Sequence, residues 1–357
     1  MIAQFQADSS EYYLQWPSQG ELSAYRRARL PAFADPLEKG VLLDWTGPGL
    51  HPDTLPPADY PLNDTPEATP NPPRPVSHPL LAPGSPSQGG TGWSLRLVEP
   101  LQEGVDTWSQ VWVCEAVRPD GGDGGEAPTV VLKLRQQTLF PAPREINSDP
   151  ENDFFNWYPA SHLIKREALA YSRLRSHQGR DIPLCYGFYT FVLPSNESVV
   201  GVVLEDLTES TMRLSMHLHR EVAGRRIAKE RAKEIVFAAF KLQHRLQNGR
   251  LAAICLHPND LLLLRSTIGT SDPCLVALSF GRTQPLEVRL HEPDEPPKRD
   301  GPPKPEGLEL EPDSDDDNPE AWRRHDQSLL NGYLAATLEP AVDLNVYDCE
   351  DELSFLV

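Results

Sequence analysis

Apolar and polar residues alternate in several stretches of the first part of the chain. Such period-two alternation is typical of a β-strand with one buried face, so each stretch predicts a strand. The stretches lie at residues 94–98, 109–117, 129–134, 186–193 and 199–204. Residues 119–125, PDGGDGG, separate the second stretch from the third, and their four glycines favour a loop. The pattern therefore predicts five strands.

Helical spacing of apolar residues predicts two long helices, at residues 161–176 and 226–247. The apolar face of the first helix contains Leu163, Ile164, Tyr171 and Leu174. Glu167 lies in the middle of that face, where a carboxylate is costly to bury unless a cation meets it. Lys133 interrupts the apolar strand just before this helix. We therefore expect Lys133 and Glu167 to form a buried ion pair.

Short apolar runs follow the second helix and predict further strands around polar turns. They lie at residues 251–256, 261–264 and 275–278. The last run leads directly into Ser279-Phe-Gly, which predicts a buried strand that feeds a tight loop.

Composition limits both the folded part and the function. The chain has 357 residues, 37 of them proline, and a formal net charge of −19. The Pro-rich stretch at residues 47–90 and the acidic, Pro-rich stretch at residues 288–317 contain too few bulky apolar residues to offset the entropy of ordering, so we expect them to be disordered. The negative charge argues against nucleic acid and anionic membranes as main partners.

Cysteine usage and the absence of a signal indicate the compartment. The five cysteines include no Cys-x-x-Cys pair, and the chain start has neither a basic nor an apolar signal region. No apolar run is long enough to cross a bilayer. These features predict a cytoplasmic or nuclear protein with free thiols.

The order of these features resembles the protein-kinase-like fold, and in particular the shortened kinase-like proteins of mushroom-forming fungi. Residues 130–133, VVLK, resemble the strand whose lysine, here Lys133, anchors ATP, and Glu167 matches the helix glutamate that pairs with it. Residues 202–206, VVLED, resemble the hinge that holds adenine, which implies nucleotide contacts at Glu205 and Leu207.

The catalytic motifs of that family are degenerate here. Of the glycines in its phosphate-covering loop only Gly104 is present. The catalytic-loop match at residues 253–260 places Cys255 at the position of the base and Asp260 at that of the metal-binding Asn. A shift by one residue places Ile254 and Asn259 there instead, and the sequence leaves the two registers open.

The metal ligands of the family are also altered. Ser279 stands where the family has the magnesium-binding Asp of Asp-Phe-Gly, and a neutral hydroxyl is a poor magnesium ligand. Asp260 is the residue that could still hold one metal ion.

The resemblance implies an α+β fold with two lobes and a shortened helical C-lobe. In this interpretation residues 1–92 are a Pro-rich, largely disordered region, residues 93–207 form the kinase-like N-lobe, and residues 208–357 form the truncated C-lobe, with a disordered acidic insert at about 288–317.

The functional hypothesis that follows is a catalytically inactive, pseudokinase-type binding or regulatory module. We expect it to bind protein partners and to bind ATP weakly, with or without magnesium. The alternative is a divergent ATP-dependent phosphotransferase that uses Lys133 and Asp260. A third hypothesis is a scaffold that acts only through its disordered regions.

Overall fold

The computed structural model describes residues 19–50, 71–74, 94–117, 127–141, 159–223, 229–248, 251–253, 256, 258–280 and 284–285. The chain divides into two compact units. The first, which we call the barrel unit, comprises Met1–Pro57, Pro73–Ser172 and Pro183–Leu207. The second unit comprises Ala58–Pro72, Arg173–Ile182 and Thr208–Val357.

A closed barrel of six antiparallel strands forms the first unit. The strands are β1 (Leu42–Leu50), β2 (Ser94–Gln102), β3 (Gln110–Val117), β4 (Thr129–Leu134), β5 (Cys185–Val192) and β6 (Ser198–Glu205). Their order around the barrel is β1-β2-β3-β4-β6-β5, and β5 pairs back with β1 to close it. Closure leaves no unpaired edge between these strands.

Apolar side chains fill the interior of the barrel. Large members of this core are Leu43, Leu95, Leu97, Trp112, Leu132, Leu134 and Phe191. Gly201 on β6 allows the closest packing, because a Cβ atom there would lie 2.8 Å from Leu134 Cδ2 and 2.9 Å from Leu132 Cδ1. Alternation of inward and outward residues along the strands thus produces a packed core.

Two helices belong mainly to the barrel unit, α1 (Gln19–Ala34) and α2 (Ala160–Arg173). The apolar stripe of α2 is buried and includes Leu163, Ile164 and Tyr171 together with Glu167. On α1, Ala32 is buried while the neighbouring large apolar residues are exposed.

The second unit combines short strands with two helices. Its described elements are β7 (Thr211–Arg213), α3 (Leu214–Ala223), α4 (Lys229–Asn248), β8 (Leu251–Ala253), β9 (Leu261–Leu264), β10 (Leu275–Ala277) and β11 (Gln284–Pro285). Three strands form a sheet in the order β10-β9-β7, and β11 pairs with β8. Helix α4 buries an apolar face that includes Ile235, Ala239, Leu242 and Leu246.

The resemblance to protein kinases is wrong as a description of this fold, and so is the pseudokinase interpretation built on it. The described residues form a closed six-stranded antiparallel barrel, a second small sheet and four helices, in place of a two-lobed α+β domain with a helical C-lobe. Local alternation and helical spacing predict where strands and helices lie, but they do not predict how the strands join into sheets.

The individual elements were predicted better than their arrangement. All five predicted strands of the first part correspond to β2–β6, and the two predicted helices correspond to α2 and α4. The three later apolar runs correspond to β8, β9 and β10. Helices α1 and α3 and strands β1, β7 and β11 were missed. Strand β1 was missed because Gly47 and Pro48 made residues 47–50 look like the start of the Pro-rich linker.

Other sequence-based predictions lie outside the described residues. These include the acidic insert at residues 288–317, most of the predicted linker at residues 47–90, and the register of the loop that contains Ile254 and Cys255. The predicted boundaries at residues 92 and 207 stay predictions, although α1 and β1 both lie before residue 92. No helix in the described ranges is long and apolar enough to cross a membrane.

Candidate functional site

Two buried cations meet one buried carboxylate on the outside of the barrel wall. Lys133 Nζ lies 2.6 Å from Glu167 Oε1, and Arg135 Nη2 lies 2.7 Å from Glu167 Oε2. Each carboxylate oxygen therefore has its own cationic donor. The predicted ion pair between Lys133 and Glu167 is confirmed, and Arg135 extends it. We call these three residues the charge cluster.

Strand alternation and helix packing bring the charge cluster together. Leu132 and Leu134 of β4 face the barrel core, so Lys133 and Arg135 point to the opposite side of the strand. Glu167 lies on the buried face of α2. Because an unpaired buried charge is costly, the cluster ties α2 to β4 in one register.

The electrostatics of the cluster keep Glu167 ionised. Burial by itself raises the pKa of the Glu167 carboxyl, but the charges of Lys133 and Arg135 and their hydrogen bonds outweigh burial and hold that pKa below its usual value. Glu167 therefore acts as a fixed negative charge between two cations.

Arg135 has one donor that the cluster does not satisfy. Its Nη1 donates to the carbonyl oxygen of Trp108 at 2.9 Å, and its Nη2 donates to Glu167. Its Nε is buried and has no hydrogen-bond acceptor among the described residues. Arg135 is only 5% exposed, so this N–H group also has little access to water as an acceptor. Because buried donors are normally hydrogen-bonded, Arg135 Nε indicates that an acceptor is missing next to Lys133.

Gly104 lies in the turn between β2 and β3 with a φ of +100°, which a residue with a Cβ adopts at a cost. The side-chain amide of Gln110 hydrogen-bonds to other residues of this turn. Its Oε1 accepts from Gly104 N–H at 3.2 Å, and its Nε2 donates to Gly104 O at 2.7 Å and Thr107 Oγ1 at 3.0 Å. The sequence suggested this turn as a phosphate-covering loop. Gln110 already bonds to the backbone N–H group of Gly104 there.

Glu205, predicted to contact adenine, carries structural bonds. Its Oε2 lies 2.7 Å from Arg74 Nη2 and accepts from Leu184 N–H at 3.0 Å, while its own N–H donates to Leu184 O at 2.9 Å. Leu207, two positions further along the chain, is also buried. The prediction of adenine contacts at Glu205 and Leu207 stays a prediction, and the Glu205 N–H is already used.

The remaining predicted site residues lie in the second unit or outside the described residues. Asp260 is half-buried, and its carbonyl oxygen accepts from Leu278 N–H at 2.8 Å; Ser279 is also half-buried. Cys255 lies outside the described residues. In the described part, no three His, Cys, Asp or Glu side chains come together in a way that could hold a metal ion. The possible role of Asp260 as a metal ligand stays a prediction.

Sequence reasoning missed a second buried charge cluster, in the second unit. His177 Nδ1 lies 2.8 Å from Asp181 Oδ2, and Arg245 Nη2 lies 2.8 Å from Asp181 Oδ1. Burial raises the pKa of Asp181, but hydrogen bonds and charges from His177 and Arg245 outweigh burial and lower it. The backbone carbonyl of Asp181 also accepts from Ala277 N–H at 2.9 Å, which ties the cluster to β10.

A signal for Arg135 was present in the sequence. It follows Lys133 by two positions, directly after the end of β4, and continued period-two alternation puts both side chains on the same side of the chain. The link between Asp181 and Arg245 left no such signal, because the two residues are 64 positions apart.

Comparison with known proteins identifies no family for this chain. No protein-family model matches the chain, and no curated protein matches it either. The functional assignment therefore rests on the residues and their geometry.

Proposed function

We propose that the protein is a binding module without catalysis of its own, and that its barrel unit binds a phosphate-bearing small molecule such as ATP or ADP weakly at the charge cluster. The observation that carries the proposal is Arg135 Nε, a buried cationic donor without an acceptor among the described residues, on the same strand face as Lys133.

Phosphate is the chemistry that suits this donor. A guanidinium N–H bonds to a phosphate oxygen with charge assistance, and a lysine beside it contributes a point charge. Leaving a buried donor unsatisfied costs about 1–3 kcal/mol, which a bound oxygen would recover. The affinity should be weak, because both Nη atoms of Arg135 are already engaged with Trp108 and Glu167.

The buried carboxylates support the absence of catalysis. A general base works best when its pKa lies near the working pH. Cationic partners lower the pKa of both Glu167 and Asp181, so these carboxylates bind protons weakly and hold structure instead.

The proposal is tested by thermal shift with millimolar ATP, ADP and tripolyphosphate, each with and without magnesium. A ligand at one hundred times its dissociation constant stabilises the folded state by about 2.7 kcal/mol. We expect all three compounds to raise the unfolding temperature, with little added by magnesium. No shift with any of them contradicts phosphate binding. Turnover of ATP that Asp260→Ala abolishes contradicts the non-catalytic half of the proposal.

The variant Arg135→Lys locates the site. Lysine keeps a cation next to Glu167 but has no Nε, so we expect the fold to remain and the ligand-induced shift to fall. Arg96→Lys is the matched control, since Arg96 pairs with Glu115 at 3.1 Å on the barrel exterior, where both side chains are exposed. A shift that survives both Arg135→Lys and Lys133→Met places the ligand elsewhere.

A further inference from the structure

Helix α1 presents large apolar side chains away from the barrel. Arg29 and Ala32 face the barrel unit and are mostly or fully buried. Leu30 is 64% exposed and Phe33 is 44% exposed. Arg26, Leu30 and Phe33 follow one another at helical spacing, so they form one outward stripe. We call the exposed residues Arg26, Arg27, Leu30, Phe33 and Val105 the α1 surface.

Contacts with the barrel hold this surface in place. Arg29 Nη2 lies 2.8 Å from Asp106 Oδ1 in the turn between β2 and β3. The guanidinium of Arg29 also stacks over the Phe33 ring, 5.0 Å from its centroid. Val105 precedes Asp106 and is exposed, so the same ion pair brings it towards α1. Phe33 is thus an exposed aromatic side chain that a cation orients, which is a feature of binding hot spots.

Charge sets α1 apart from the rest of the chain. The helix contains three arginines and one acidic residue, Glu21, while the whole chain has a net charge of −19. Arg26 and Arg27 are exposed beside the apolar stripe. A positive, partly apolar stripe of this kind is complementary to an acidic segment that carries apolar side chains.

We propose that the α1 surface docks an acidic peptide segment of a partner protein, with aliphatic or aromatic side chains of that segment against Leu30, Phe33 and Val105. Arg27 pairs with its carboxylates. This inference does not depend on phosphate binding, because it uses none of the residues of the charge cluster.

A short peptide suits this surface better than an anionic bilayer or a second copy of the chain does. An anionic bilayer would lie against a much larger part of the protein surface than α1. Because the whole chain is acidic, electrostatic repulsion would oppose binding to the bilayer. A peptide meets only the local charge, because salt screens charges more than about 10 Å away. A second copy of the same acidic chain meets the same repulsion as the bilayer.

The test uses the full chain and a fluorescent peptide of about 15 residues in which Asp and Glu surround Leu and Phe at helical spacing. We expect saturable binding that falls at least about tenfold with Leu30→Ala/Phe33→Ala, as for hot-spot residues. Arg27→Gln should also weaken binding and reduce its salt dependence. Ile268→Ala, an exposed apolar residue of the second unit, is the matched control and should leave binding unchanged.

Peptide variants and alternative occupants complete the test. Replacing the acids of the peptide by Gln, or its Leu and Phe by Ala, should each reduce binding. Because the altered residues lie at the surface, all protein variants should stay folded, with unfolding temperatures within a few degrees of the wild type. The proposal is overturned if the acidic peptide does not bind at millimolar concentration, or if the α1 variants bind it as the wild type does. It is equally overturned if the α1 surface instead mediates binding to phosphatidylserine vesicles or a concentration-dependent dimer.

Discussion

Gln110 and Gln243 are both buried, yet their side chains have opposite surroundings. The amide of Gln110 bonds to Gly104 and Thr107 in the turn between β2 and β3. Both amide atoms of Gln243, on helix α4, are buried without a hydrogen-bond partner among the described residues. A buried polar group that is unsatisfied costs free energy, whereas a satisfied one contributes on the order of 1 kcal/mol.

We therefore expect Gln243→Leu to stabilise the protein by about 1 kcal/mol, because leucine has a similar size and needs no partner. Gln110→Leu should destabilise it by about 1–3 kcal/mol, since it leaves the Gly104 amide and carbonyl without their side-chain partner. Urea unfolding of the two variants measures both signs. Destabilisation by Gln243→Leu would mean that the amide has a partner, such as an ordered water.

At the scale of elements, strand β1 is the one that closes the barrel. It pairs with β2 from Leu42↔Arg96 to Asp44↔Ser94 and with β5 from Trp45↔Phe191 onwards. Its side chains alternate about the barrel wall, since Leu43 is 1% exposed and its neighbour Leu42 is 51% exposed. Two chemically identical neighbours therefore occupy opposite environments.

This alternation gives a matched pair of substitutions. Leu43→Asp should destabilise the protein by more than 3 kcal/mol or prevent folding, because it places a charge without a partner in the barrel core. Leu42→Asp should change the free energy of unfolding by about 0.5 kcal/mol or less, because the side chain is in water. Soluble yield and denaturant unfolding compare the two. Equal effects would show that β1 does not close the barrel in this register.

At the scale of the whole molecule, each unit contains a buried carboxylate held by basic side chains. Glu167 has Lys133 and Arg135 in the barrel unit, and Asp181 has His177 and Arg245 in the second unit. The pKa of each carboxyl is lowered in the folded protein. Each therefore contributes stability that is fully present above its unfolded pKa, about 4.3 for Glu and 3.9 for Asp.

We expect the protein to lose stability as the pH falls below about 4, through the folded-state pKa values of these two groups. At pH 7, Glu167→Gln should cost about 3–5 kcal/mol, because it leaves two buried cations facing a neutral amide. The difference from wild type should shrink at low pH. Guanidinium unfolding between pH 3 and 7 measures it, with Glu115→Gln on the barrel exterior as the matched control variant. A constant difference across that range would show that Glu167 does not titrate as described.

The candidate site was predictable only in part. Lys133 and Glu167 are both unusual in apolar patterns, and each explains the burial of the other, so their pairing followed from the sequence. Arg135 follows the last residue of β4 and carried the same alternation signal, but nothing in the sequence shows that its Nε has no acceptor within the described part of the chain. Asp181 and Arg245 meet through the packing of distant segments, which local patterns do not encode.

The sequence by itself determined the positions of eight strands, two helices and one buried ion pair, because these depend on the spacing of apolar residues along a few turns or strand repeats. Only the tertiary structure decided that the strands close into a barrel. Closure depends on β1 pairing with both β2 and β5, and the contacts between β1 and β5 join residues more than 130 positions apart. Motif order along the chain suggested a two-lobed fold, whereas long-range strand pairing, which burial of the shared core stabilises, produced a barrel.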